Sequence, residues 1–215
     1  MAKDVDLRTF SYIDILQPQL SSFLATVSKG FHPLEYQASL FIEISPGMMI
    51  NVITDAILKN TDVIPSMQIV ERAYGMLEVH HTDQGQVKEA GRVALEILGM
   101  KEEDRLRPRI VSGQIITGMD NYQTHLLNRM RHGAYILAQE TLYVLEVHPA
   151  GYAAIAANEA EKASPINVLE VKTFGAYGRV YLGGKEDEIK EAVKAVEHVL
   201  NSTPGRENSG HSLVY

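Results

Sequence analysis

The chain is written twice. Displacing the 215-residue sequence by 103 positions lays its second half on its first. "LFIEISPGMM" (Leu40 to Met49) falls on "YVLEVHPAGY" (Tyr143 to Tyr152), so that Glu43 meets Glu146 and Pro46 meets Pro149. Lys59 meets Lys162, and Ala73-Tyr74-Gly75 meets Ala176-Tyr177-Gly178. Upstream, Ile13 meets Ile116, Leu24 meets Leu127 and Gly30 meets Gly133; after a one-residue slip, Lys88-Glu89-Ala90 meets Lys190-Glu191-Ala192. A duplication this long means that one unit must build one core and that the two units must tolerate each other as neighbours. The units are read as 1–105 and 106–202. The join, Gly99 to Arg109, is charged and ends near a proline, as a linker does. The tail, 203–215, is polar with two glycines and a proline, and is expected to be loose.

Each unit reads alike. A strand opens it (Leu7 to Leu16; Ile110 to Thr117), a helix follows (Gln19 to Ser28; Tyr122 to Arg131), and an apolar strand ends at a proline (Ser39 to Ile44; Leu142 to Val147). The next helix carries Met49, Ile53, Ala56 and Ile57 on one side in the first copy and is alanine-rich in the second. Two strands around a Tyr-Gly turn come next. The last helix has Val87, Ala90, Ala94, Ile97 and Leu98 at helical spacing, repeated by Ile189, Ala192, Val193, Val196 and Val199. Strands interleaved with helices in this order predict an α+β sandwich, with a sheet on one side and helices on the other.

Composition excludes more than it assigns. A net charge of −7 gives no basic face for nucleic acid. The sequence holds no cysteine, so disulfides and thiolate metal sites are excluded. No apolar run reaches the ~20 residues that span a bilayer, and the N-terminus lacks the apolar stretch of a signal peptide. "SPGMM" is not a dinucleotide fingerprint, and "GRVYLGGK" (Gly178 to Lys185) fails as a phosphate loop because Glu186 stands where Ser or Thr is needed. Adjacent His80 and His81 on a strand face opposite ways, and His132 lies among arginines, so no metal site is expected. Glu102-Glu103-Asp104 reads as a solvated linker. No cofactor and no catalytic residue is expected.

"IVERAYGMLEV" (Ile69 to Val79) stands apart, because it sets Glu71 and Arg72 side by side at the end of an apolar strand, next to Tyr74-Gly75. From the residues alone the pair is a local surface ion pair worth about 0–1 kcal/mol. With the strand–helix order, the helix endings "DAILK" (Asp55 to Lys59) and "NEAEK" (Asn158 to Lys162), and the turn "GAYGRV" (Gly175 to Val180), the unit resembles the bacterial microcompartment shell domain. Its opening strand and helix precede the usual start of that domain, so the order looks circularly permuted. Two such domains in one chain resemble the tandem-domain shell proteins, ferredoxin-like in fold, in which three chains form a pseudo-hexagonal tile. "FIEISPG…VERAYGMLEVH" is similar to the carboxysomal members with a Glu-Arg gate.

The resemblance implies a structural shell component, not an enzyme, located in the cytoplasm within the shell of a carboxysome. It implies a homotrimer, with two trimers able to stack face to face, other shell hexamers at the tile edges, and small anionic metabolites crossing the pore. Glu71 and Arg72 match the gate, with Phe174 and Gly175 at the matching places of the second half. Tyr74, Gly75, Tyr177 and Gly178 match the pore turns, with Gly75 read as the hinge, and Lys59 and Lys162 match the edge lysines. Two other readings are kept: a small-molecule-binding regulatory protein of tandem ferredoxin-like domains, and an enzyme with a pocket at the repeat interface.

Overall fold

A computed structural model describes residues 5–209. The duplication is visible as two antiparallel four-stranded sheets of identical order. In the first, β1 (Asp6–Ile13) pairs with β2 (Ala38–Ser45), β2 with β4 (Tyr74–His81), and β4 with β3 (Ile64–Glu71). In the second, β5 (Arg109–Ile116), β6 (Thr141–His148), β8 (Gly178–Gly184) and β7 (Asn167–Lys172) repeat that order. Helices α1 (Pro18–Val27), α2 (Ile50–Asn60) and α3 (Gln84–Leu98) belong to the first half; α4 (Asn121–Met130), α5 (Ala153–Ala163) and α6 (Glu186–Ser202) belong to the second. Every expected element exists, with ends shifted by a residue or two except at the first strand, which stops three residues early at Ile13.

The helices α2 and α3 cover one face of the first sheet because their apolar stripes, Ile50, Ile53 and Ile57 with Val87, Ala90 and Ala94, meet Leu40, Ile42, Leu77 and Val79 there. The opposite face of that sheet is covered by the second half. Met76 and Phe41 share a core with Tyr152, Ala153 and Ala156 of the α5 region. Alanine-rich α5 allows this close approach, as its composition suggests. Helix α1 also leaves its own half. Leu20, Phe23 and Leu24 are buried in the core of the second half, and each such side chain contributes about 1.5–3 kcal/mol. Its N-terminus has no side-chain cap of its own; the Glu161 carboxylate, from α5, accepts from Gln19 N and Leu20 N at 2.7 and 3.0 Å. Burial pushes the Glu161 pKa up, and those two backbone donors hold it down.

The linker and the start of the tail are tied rather than loose. Arg105 is buried and donates to Phe10 O, Glu102 Oε1 and Pro204 O. Arg206 N donates to Arg105 O at 2.7 Å, Arg206 pairs with Asp6, and Asn208 Nδ2 donates to Arg107 O and His148 O. Residues 203–209 are thus a clasp across linker and first strand, held by carbonyls that the linker would otherwise leave open. The remainder of the expected loose tail, 210–215, lies outside the described residues.

Candidate functional site

The strand β3 ends at Glu71, which pairs with Tyr74 in the ladder, so the turn itself is Arg72-Ala73. The expected turn residues Tyr74 and Gly75 are therefore already strand, and Gly178 is the first residue of β8. Gly75 is not a hinge. A Cβ there would collide with the Gly47 carbonyl oxygen of the 3-10 turn Gly47–Met49, and Gly178 faces Ala150 in the same way. Both glycines are needed for close backbone approach, which is what made "Tyr-Gly" look like a turn.

The unusual backbone lies elsewhere. Arg72 has φ 53°, in the left-handed region, and its counterpart Gly175 has φ 106°. Glycine adopts such angles freely, whereas an arginine there costs about 1–2 kcal/mol. Arg72 is exposed and Glu71 half-buried. No ion pair joins them, and neither has a side-chain hydrogen bond among the described residues, so the local-ion-pair reading fails.

The two turns of one chain come together. The Glu71 carboxylate oxygens lie 3.5 and 3.6 Å from the point where a Cβ on Gly175 would stand. A Cβ at 175 would make only ordinary contact with Glu71, so it is the φ of 106° and not a lack of space that calls for glycine there. Phe174 lies under Lys172 Nζ, 5.4 Å from its ring centre, and helps to line a cleft of about 560 Å³ with Val27, Met67 and Ile69. The structure thus sets the Glu71-Arg72 turn beside the Phe174-Gly175 turn. Lys59 and Lys162 are far from it in role: both are exposed in the last turns of α2 and α5, and pair with Asp55 and Glu159 of their own helices.

Behind the turns lies a buried polar cluster that sequence reasoning missed, because its members are scattered. Arg8, 2% exposed, donates through Nε to Glu43 Oε1 at 2.8 Å and stacks 3.7 Å from the centre of the Tyr74 ring. Glu43 also accepts from Thr9 Oγ1 and from Gly151 N of the second half. His148 accepts from Arg8 at 3.0 Å. Burial first, then the Arg8 charge, pushes the His148 pKa down from 6.5 to about 4, against the opposing hydrogen bond to Asn208. The native state keeps this imidazole neutral, while the unfolded chain takes up a proton below about pH 6.5. Stability is therefore expected to be flat above pH 7 and to fall as pH drops through 6.5 towards 4, by up to about 2 kcal/mol at pH 5. Denaturant midpoints at both pH values check this, and H148Q should remove most of the slope.

Among the described residues no group of three His, Asp or Glu side chains is placed to hold a metal ion, and no helix is long and apolar enough to cross a membrane. Comparison with known proteins identifies the arrangement. The family model "CsoS1D N-terminal domain" matches residues 7–104. The carboxysome shell protein CcmP of Synechococcus elongatus is 52% identical over 206 residues, covering 96% of this chain and 97% of that one. The fused permuted hexameric shell protein MSM0275 from the RMM microcompartment superposes with a TM-score of 0.91 at 41% identity, covering 94% of this chain and 99% of that one. The double ringed trimeric shell protein MSM0271 from the same microcompartment does so with a TM-score of 0.92 at 36% identity, covering 95% and 100%. These likenesses decide between the shell and regulatory readings: the chain belongs to the tandem-domain, circularly permuted bacterial microcompartment shell proteins, the family of the carboxysome shell proteins CcmP and CsoS1D.

Proposed function

We propose that three chains close into a pseudo-hexagonal carboxysome tile whose central pore is gated by Glu71 and Arg72. The observation that carries this reading is an inequality between the halves. Strand β1 is almost wholly buried, covered by the second half, whereas its counterpart β5 ends in four exposed residues, Gly113 to Ile116. Phe23 on α1 is 3% exposed, whereas its counterpart Leu126 on α4 is 60% exposed. What the second half does for the first, a further first half must do for the second. That surface exists: Met48, Val52 and Leu58, the counterparts of Gly151, Ile155 and Glu161, are exposed on and before α2. The contact is head-to-tail, and such a contact closes into a ring when its rotation divides the full circle; two halves of one fold, repeated three times, meet that condition as six near-equal units.

In that ring three copies of Glu71 and Arg72 surround the axis, alternating with three Phe174-Gly175 turns. With no side-chain partner among the described residues of its own chain, each charge is free to pair across to the neighbouring chain or to swing away, which gives a narrowed and a cleared state. Arginines at the rim favour small anions over neutral solutes. The role is structural and selective, without turnover of its own. The exposure of Lys59 and Lys162 at the ends of their helices supports a role at the tile edge, each stem lying along the next tile with its charge in water. Exposed Phe31, Leu34, Tyr36, Tyr135 and Leu137 favour two rings stacked face to face, as the words "double ringed" describe MSM0271.

Flux across reconstituted tiles tests the pore. R72Q is expected to lower passage of a phosphate ester several-fold relative to a neutral solute of the same size, and E71Q to raise it. Equal flux ratios in all three proteins would refute the gate while leaving the tile intact.

A further inference from the structure

The pore-turn tyrosines of both halves touch one buried cluster. Tyr74, which closes the first turn opposite Glu71, lies under the Arg8 guanidinium at 3.7 Å. Arg8 Nη2 donates to His148 Nε2 at 3.0 Å, which makes Nε2 the bare nitrogen and leaves Nδ1–H to donate to Asn208 Oδ1, also at 3.0 Å. The His148 ring stands against Tyr177, centroids 6.1 Å apart with the planes at 66°. Tyr177 is the last residue of the second turn. A continuous contact therefore runs Tyr74–Arg8–His148–Tyr177 from one turn to the other, across the junction of the halves.

Nothing in this path is loosely held. Both nitrogens of His148 are engaged, Arg8 is fixed by Glu43, and Glu43 is fixed by the backbone of Gly151. A planar guanidinium can stack and donate at once, which an ammonium cannot. The path is also confined to one seam. Val111 and Ser45 occupy the positions matching Arg8 and His148, so the contact between chains has no such link.

We propose that Arg8 and His148 are positioning residues that couple the two pore turns of each chain, so that the setting of Glu71-Arg72 and that of Phe174-Gly175 are set together. Its consequence for transport rests on the pore reading above; its geometry does not. In a ring, the six turns then move as three pairs.

The cysteine-free sequence allows a direct test. A nitroxide on A73C or on A176C, both exposed turn positions, reports the mobility of each turn by electron paramagnetic resonance. R8Q is expected to raise the mobile fraction roughly two-fold at both labels, measured well below the melting temperature. R8K, which keeps the charge but not the stack, is expected to fall between. Y74L, which spares the bonds of Arg8 to Glu43 and His148, is expected to mobilise the label at 73 alone. R8M/E43L removes the charges together and guards against a poorly folded R8Q; it too should mobilise both labels. An unchanged spectrum at 176 in R8Q and R8M/E43L would overturn the coupling, even if both proteins melt earlier. Spectra that change while flux ignores R72Q would uphold the coupling and remove the gate.

Discussion

Replacing Glu43 with alanine is expected to cost about 3–5 kcal/mol of stability, more than any exposed substitution in the molecule. Glu43 is 1% exposed and is the sole acid against Arg8 among the described residues. Its removal strands a buried guanidinium, leaves Thr9 Oγ1 without its acceptor and opens the backbone N–H of Gly151 at the junction of the halves. The cost is that of an uncompensated charge, not the worth of the pair. R8M/E43L, which removes both charges, is therefore expected to recover the part of the loss due to the stranded guanidinium, leaving His148 short of one donor and Thr9 Oγ1 and Gly151 N short of an acceptor. Urea unfolding of the three proteins measures this. A double variant as unstable as E43A would show that the pair itself, and not the orphaned charge, holds the halves together.

Leu126→Glu is expected to leave a folded monomer where the unchanged protein is expected to sediment as three chains of 23.9 kDa each or as a stacked pair of such rings. Within the chain Leu126 projects from α4 with 60% of its surface open, beside Tyr122 and Met130. A carboxylate there costs the isolated chain nothing. In a ring it would be pressed against the exposed apolar side of the next α2, without a partner. The matching change Phe23→Glu is expected to act differently, because Phe23 is buried inside one chain: it should lower the melting temperature before it changes the mass. Analytical ultracentrifugation with a parallel thermal scan separates the two. A trimer that survives Leu126→Glu would place the contact between chains on another surface.

The duplication and the order of elements were legible in the sequence, because each rests on local pattern or on an offset between halves; the grouping of Glu71-Arg72 with Phe174-Gly175 came from the resemblance to a family, since no local pattern says which turns meet. The position of the turn was not. Tyr-Gly carries the composition of a turn, but its glycine answers a demand from Gly47, nearly thirty residues away, while the true turn is made by an arginine in a glycine's conformation. The clasp at 203–209 was also hidden. Polar residues near a chain end read as loose, and only the linker's carbonyls and Asp6 give them partners. Least legible was the exchange of α1 onto the second half. The apolar spacing of α1 and α4 is similar, and which of them is covered depends on what the rest of the chain brings to it.

In the proposed ring the two seams differ in kind. Within a chain the seam is bonded by a linker and a clasp, capped by Glu161 on α1, and laced by Glu43 and Gly151. At the seam between chains Leu58 stands where Glu161 does, and Asp120 caps α4 from within its own helix. Stiff joints therefore alternate with compliant ones around the axis. Under load a ring built this way flexes at three places and not six, as a triangle does rather than a hexagon. Curvature in the shell would be taken up at the apolar joints, leaving the rigid pairs of turns to carry the proposed pore.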